Sequence, residues 1–599
     1  MPGRSAKRSE DDHHTASAAQ SDSTSRRATS RQRARTPERP NASSAHKAQA
    51  LALGQKLLTP VDVVAVAYEA RLVRLAPAAT ARVRVARALV ERLVAEDRTV
   101  YGITTGFGHL SRVKIPQPDL AALQRNLIRS HASGVGDPFD VPTIRAVMLL
   151  LAHSLARGHS GVRVELLRLL VDLLNAGVTP VVPMRGSVGA SGDLAPLAHL
   201  SLVLLGEGEA WYACERLPGG EALRRAGLAP IVLGAKEGLA LINGTHVMEA
   251  CGVLAVCDAW RLLRAAEVAA AASTDALLGS YVPLDPRIHA LRPQQGQALT
   301  ARRMRALLDA SEVNASHADC GRVQDPYTLR CVPQVLGAAR DALAYCESVF
   351  AAELGAVTDN PLLFPADGEV LTGGNFHGQP LALALDFLAV ALAHVASFAE
   401  RRTYSLMGPH DWDTGDHAVP LFLTPHPGLS SGYMIAQYAA AALVNEIKLL
   451  AHPASVDSIP TSAGMEDFVS MGVTSAIKLR QVLDLTFRVV AIELLSACQA
   501  LEFRKPLQPG TGVRLAYDAV RALVPALAAD RPPAPDIERL AQALRGGLLD
   551  PIAPDEGLTD AADGIRAGRR RASSAENGAN GHHPREVSRT ADRGGRGRH

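Results

Sequence analysis

Ala190-Ser191-Gly192 is the part of this 599-residue chain whose residue types and order could do unusual chemistry. It lies in GSVGASGDLAPL, where Gly, Ala and Ser permit close backbone approach and uncommon φ/ψ values. If the backbone bends hard enough, the Gly192 nitrogen can reach the Ala190 carbonyl carbon. Loss of two waters, one of them from the Ser191 side chain, would then leave an exocyclic methylidene on an imidazolone ring. That group is an electrophile made from the chain itself. The plainer readings are a flexible loop or an anion-binding nest before a helix. The stretch is neither a phosphate-binding GxxxxGK[ST] loop nor a GxSxG nucleophile elbow.

Chemistry of this kind needs rigid elements around it. YGITTGFGHL (101–110) has three Gly and two Thr and reads as a loop. Helical patterns follow at about 119–131 and 140–157. After PVVPMRGSVGASGDLAPL (180–197) a further helix is expected, with Asp193 near its cap and Pro196 in its first turn. From about 236 the pattern changes to long helices with few breakers. They are expected at roughly 244–278, 298–314, 332–355, 378–406, 430–452 and 472–502. Several are apolar around much of their circumference, as helices of a bundle or of subunit contacts are. Strand signals are weak, near 62–66 and 358–372. The fold class is mainly α: a central bundle of long helices with a mixed, loop-rich N-terminal region.

Four segments follow. Residues 1–48 read as a disordered basic tail and 562–599 as a second one, because neither holds the apolar side chains that would offset ordering entropy. Residues 49–235 form an N-terminal region with the Tyr101 loop and the 190–192 loop, and 236–561 hold the long helices. The tails could associate with an anionic polymer, but they lack aromatics to stack on bases. A net charge of +3 makes no case for nucleic acid. The seven cysteines form no CxxC pair, and no ligand spacing implies a metal. Residues 1–48 contain no signal-peptide apolar run, and the apolar stretch 379–399 carries Asp386 and His394. The expectation is a cytoplasmic protein with no membrane span.

Several motifs in order carry a resemblance. They are YGITTGFG (101–108), LQRNLIRSHASG (123–134), GASGDLAPLAH (189–199), EGLALINGT (237–245), VQDPYTLRC (323–331), TDNPL (358–362) and GGNFHG (373–378). Together they resemble the aromatic amino acid lyase family, which comprises histidine, phenylalanine and tyrosine ammonia-lyases and related 2,3-aminomutases. The likeness runs from about Gln55 to about Leu544. It implies the fumarase/aspartase-like helical architecture, although the GSSxMPxK loop of fumarase-type enzymes is missing. It implies a carbon–nitrogen lyase that builds 4-methylidene-imidazol-5-one from Ala190, Ser191 and Gly192, without metal or external cofactor. Asp193 would assist ring closure. Tyr101 would be the base that takes the β-proton as phenolate, with helix N-termini supplying the positive potential a phenol needs. Arg330 would pair with the substrate carboxylate, Gln324 would add a polar contact, and Tyr327 and Asn243 would hold the amine and the ring. Phe376 would pack at the site.

The ring of the substrate is a separate question. Ser130-His131 resembles the pair carried by histidine lyases, and a His can exchange hydrogen bonds with an imidazole. Glu466 in GMEDFVSM resembles the same branch, because a carboxylate beside a bound imidazolium is favourable and beside a phenyl ring is costly. The chain departs from the commonest histidine pattern at Thr104, His246, Ser430, Met465 and Phe468. L-Histidine, eliminated to trans-urocanate and ammonium, is the expected substrate. A lyase or 2,3-aminomutase of tyrosine or phenylalanine is the alternative. The resemblance also implies a homotetramer with active sites shared between subunits.

Overall fold

A computed structural model describes residues 50–319, 321–408 and 419–552. The two expected tails, 1–48 and 562–599, lie outside the described residues.

Long helices build the centre. His246–Ala276, Val332–Glu353, Gln379–Leu406, Met434–Leu450 and Gly472–Glu502 pack side by side. His246–Ala276 is buried along almost all of its 31 residues, which explains why its sequence shows no polar face. Where Gln379–Leu406 meets Gly472–Glu502, the guanidinium of Arg402 forks onto Glu493 at 2.5 and 2.8 Å. Ser273 on the third helix donates to the same carboxylate at 2.8 Å. This charged cluster, fully buried, ties three helices into one register. One hydrophobic core runs from Leu51 to Leu549, so the regions before and after residue 236 share it.

The expected helices occur with trimmed ends. The 430–452 pattern becomes Met434–Leu450, and 298–314 divides into Gln295–Leu307 and Glu312–Ala315. The division falls at Ala310, whose φ is +57°, and Ser311 caps the second piece through the Asn314 N–H. The strand expected at 62–66 is instead the helix Pro60–Tyr68. Thr59 and Asp62 cap one another reciprocally and Pro60 opens the first turn, so the helix start overrides the β-branched run. The expected strands near 358–372 are the hairpin Leu362–Phe364 with Glu369–Leu371.

Gln379–Leu406 is the one described helix long and apolar enough to cross a membrane. It packs among its neighbours as a bundle helix. Its Asp386 is buried and accepts N–H donors from Ala454 and Ser455 at 2.8 and 2.7 Å.

Three shorter helices, Leu120–His131, Ala195–Leu204 and Glu237–Ile242, pack on one another beside the start of His246–Ala276. Gln124 links two of them. It is fully buried, and its Oε1 accepts the Gly238 N–H at 2.8 Å. The first turn of Glu237–Ile242 thereby receives a partner from a different helix. Motifs more than a hundred residues apart in sequence meet at this junction.

Candidate active site

The loop through Ala190-Ser191-Gly192 is bent by its neighbours. Gly189 and Gly192 have φ of +85° and +83°, and Ser191 lies at +50°. Gly192 pairs with Gly244: the Asp193 N–H donates to the Gly244 carbonyl at 2.8 Å, and the Gly244 N–H donates to the Ser191 carbonyl at 3.2 Å. A Cβ on Gly192 would stand 2.0 Å from the Gly244 oxygen, and one on Gly189 would stand 2.2 Å from Ser470 Oγ. The chain is therefore held in a left-handed curve that only glycine tolerates at these points. The small residues of the loop suit the proposed ring for the same reason.

Asp193 does not cap the helix that follows it. Helix Ala195–Leu204 starts after Leu194, whose φ and ψ are +35° and −85°. The Asp193 carboxyl turns the other way and accepts the Val247 N–H at 2.6 Å, at the start of His246–Ala276. The sharp turn at Leu194 points the carboxyl away from its own helix. Complete burial pushes this acid up to about 8, and the Glu353 carboxyl adds to the rise against the N–H donors of Val247 and Met248. Its Oδ1 is buried without a hydrogen-bond partner. At neutral pH Asp193 thus keeps its proton next to the bent loop.

Facing the loop is a cavity of about 650 Å³, whose lining includes Tyr101, Phe107, Leu123, Ser130, His131, Ala190, Ser191 and Glu466. Ser130 and His131 reach it from the last turn of Leu120–His131. The His131 Nδ1–H donates to the Leu127 carbonyl at 2.9 Å, because that carbonyl can only accept. This fixes the tautomer and leaves Nε2 as an acceptor. Burial holds His131 below its usual range, against the opposing effects of the Leu127 carbonyl and the Glu466 carboxylate. It is neutral at pH 7. Glu466 comes from a turn closed by the Thr461 N–H on the Glu466 carbonyl at 2.8 Å. Its Oε2 is buried and has no hydrogen-bond partner.

Tyr101 lies half-buried in the same cavity. Its hydroxyl accepts the Gly108 N–H at 3.4 Å. The positive potential expected from helix N-termini does not dominate here. Burial raises the phenol above its usual range and the Glu466 carboxylate raises it further, while only the Gly108 N–H acts in the other direction. The loop that carries Tyr101 lies against the turn that carries Glu466, so a carboxylate becomes its charged neighbour. A Cβ at Gly108 would approach Ser462 Oγ to 2.6 Å.

Asn243 lies behind the loop, next to Gly244. Its Nδ2 donates to the Asn360 carbonyl at 3.0 Å and to Asp359 Oδ1 at 3.4 Å. The other expected residues do not line this cavity. Gln324 and Tyr327 are exposed, Arg330 stacks its guanidinium 4.5 Å over the Tyr327 ring, and Phe376 is half-exposed in the 373–378 segment. Arg330 Nε is buried without a partner. Within one chain, then, Tyr101, Ser130, His131, Ser191 and Glu466 come together, Asn243 adjoins them, and the QDPYTLR and GGNFH residues stand apart.

Sequence reading passed over Gln124, Lys236 and Asp359. The last lies in TDNPL and Lys236 directly precedes EGLALINGT, so both were adjacent to visible motifs. Nothing in their spacing shows that they meet.

Residues 58–522 match the profile of a family described as aromatic amino acid lyase. The chain is 54% identical to a histidine ammonia-lyase of Anaeromyxobacter sp. (strain K) over 511 residues, which is 84% of this chain and 100% of that protein. A crystal structure of histidine ammonia-lyase from Trypanosoma cruzi aligns with a TM-score of 0.78 at 40% identity, covering 85% of this chain and 96% of that one. Tyrosine aminomutase from Streptomyces globisporus aligns with a TM-score of 0.79 at 35% identity, covering 85% of this chain and 100% of that one.

The tight Gly192–Gly244 approach yields a test. Gly192→Ala is expected to fold, with the loop displaced, and to keep the full mass of its sequence. A purified Gly192→Ala chain whose intact mass is lower by two waters would contradict this account of the loop.

Proposed function

This chain belongs to the aromatic amino acid lyase family, and within it we propose that it eliminates ammonia from L-histidine to give trans-urocanate. The observation that carries this reading is one cavity holding Tyr101, the 190–192 loop, a neutral His131 and an unpaired Glu466 carboxylate.

Ala190, Ser191 and Gly192 would hold 4-methylidene-imidazol-5-one, an electrophile that activates an amino acid for loss of its amine. The bent backbone and the two glycines with no room for a Cβ support that assignment. Asp193, neutral and buried beside the loop, is suited to pass a proton during ring closure. Tyr101 takes the β-proton of the substrate as phenolate. A phenol of ordinary pKa is about one part in a thousand ionised at pH 7, and raising it lowers that fraction. The cationic substrate, held against Glu466, supplies positive charge when it binds.

His131 and Glu466 read the ring. Nε2 of His131 accepts an imidazole N–H, and the unpartnered oxygen of Glu466 takes the other N–H of a substrate imidazolium. A phenyl or phenol side chain would leave that carboxylate buried without a partner.

Arg330 is assigned to the substrate carboxylate, with Gln324 and Tyr327 beside it, Asn243 at the amine and Phe376 packing at the site. Their distance from the cavity within one chain supports a homotetramer whose sites take residues from more than one subunit. The six described cysteines, Cys214, Cys251, Cys257, Cys331, Cys346 and Cys498, form no disulfide among the described residues, which supports a reducing, cytoplasmic location.

A substrate panel tests the reading directly. The ultraviolet rise of urocanate is expected with L-histidine and not with Ser191→Ala. Turnover of L-tyrosine or L-phenylalanine with none of L-histidine would overturn it.

The electrostatics give a pH test. Tyr101 is a raised phenol that must ionise, so kcat/KM should climb with pH over the range below its pKa. Glu466→Gln removes a neighbour that raises it, so the rising limb should move to lower pH even as histidine turnover falls. A limb that stays in place or moves to higher pH would contradict the assignment of Tyr101 as base.

A further inference from the structure

Lys236 is an unusual residue for a core. It is fully buried, its φ is +73°, and it stands at the start of the helix Glu237–Ile242. Its Nζ lies 2.7 Å from Asp359 Oδ2, which is itself buried. A lone buried charge is strongly unfavourable, so each group depends on the other. Burial holds the Lys236 ammonium below its usual range and Asp359 pulls it back up.

The second oxygen of Asp359 faces the opposite end of the same short helix. Oδ1 accepts the Asn243 Nδ2–H at 3.4 Å and the Asn360 N–H at 2.7 Å. The other amide hydrogen of Asn243 goes to the Asn360 carbonyl at 3.0 Å. Both amide hydrogens are therefore spent. What remains is Oδ1, buried and without a hydrogen-bond partner. Turning the amide over would set its oxygen against a carboxylate and a carbonyl, acceptor against acceptor. Asn243 can then offer only an acceptor, one residue from the Gly244 that pairs with Gly192.

We propose that Asp359, held in place by Lys236, is a positioning residue that locks the Asn243 amide so that its oxygen accepts an N–H of the substrate amine. This rests on the reading of Asn243 as a contact of the bound amino acid. The Asp359 carboxylate is held by Lys236, Asn243 and the Asn360 N–H and does not line the cavity, so its effect on catalysis should pass through Asn243. Asp359→Asn lets the amide turn, since the new side chain can donate or accept.

A double-mutant cycle separates this from a merely structural role. Asp359→Asn, Asn243→Ala and the double variant are assayed with L-histidine, and intact mass is recorded for each. Asp359→Asn should keep the two-water mass loss. Its kcat/KM should fall by about ten- to a hundredfold, the scale set by a misplaced contact. The double variant should be no slower than Asn243→Ala alone. Should Asp359→Asn fail to fold, the charge-neutral Lys236→Met/Asp359→Asn pair enters the same cycle. Full activity of Asp359→Asn, loss of its mass change, or its full factor persisting on top of Asn243→Ala would each overturn the proposal. Full activity of Asn243→Ala would instead remove the reading of Asn243 on which it stands.

Discussion

The backbone pairing of Gly192 with Gly244 is the contact on which the site depends. It joins the one loop that could make an electrophile to Gly244, two residues before the buried 31-residue helix His246–Ala276. A Cβ on Gly192 would strike the Gly244 carbonyl, and one on Gly244 would meet Thr358 Oγ1 at 2.5 Å, so neither position has room for a side chain. The pairing sets the curve of the 190–192 loop and brings Asp193 to the N–H of Val247. It also places Asn243 immediately behind the loop. Without it, the loop would be a flexible connection before the helix Ala195–Leu204, which is the plain reading of its sequence.

Below that pairing the interior is acidic. Asp193 and Glu249 are buried and Glu353 half-buried, burial raises all three, and the Glu353 carboxyl raises the other two further. Burial of this kind favours the protonated form of each acid. The Lys236–Asp359 pair nearby is the opposite case, with one charge answered by another. The cavity follows a third rule. Its Glu466 carboxylate has an oxygen with no partner among the described residues, its neighbour His131 is neutral, and the phenol of Tyr101 is raised. The cavity lining of one chain holds no Lys or Arg, and a substrate with an ammonium and an imidazole brings positive charge to it.

Much of this was legible in the sequence where a motif carries its own local chemistry. Ala190-Ser191-Gly192 was visible because only small residues allow the closure. Ser130-His131 and Glu466 were visible as polar groups in recognisable settings, and the long helices were visible from the absence of breakers. Other features depend on approach in space. Asp193 looked like a cap for the next helix, yet the turn at Leu194 sends it to the N–H of Val247, in a helix that begins at His246. The phenol of Tyr101 was expected beside positive helix ends, and the fold set it beside Glu466. The run VDVVAV looked like a strand until Thr59 and Asp62 were seen to cap each other. Lys236 and Asp359 are more than a hundred residues apart, and no spacing shows that they meet around one six-residue helix.

The central claim is that this backbone geometry makes an electrophile from the chain's own residues. Its most direct test is tandem mass spectrometry of the peptide spanning 186–194, released from the protein under native-like conditions. The account predicts a mass two waters below the sequence, with the whole deficit confined to Ala190, Ser191 and Gly192. A peptide of full sequence mass from active enzyme, or a deficit placed elsewhere, would contradict it.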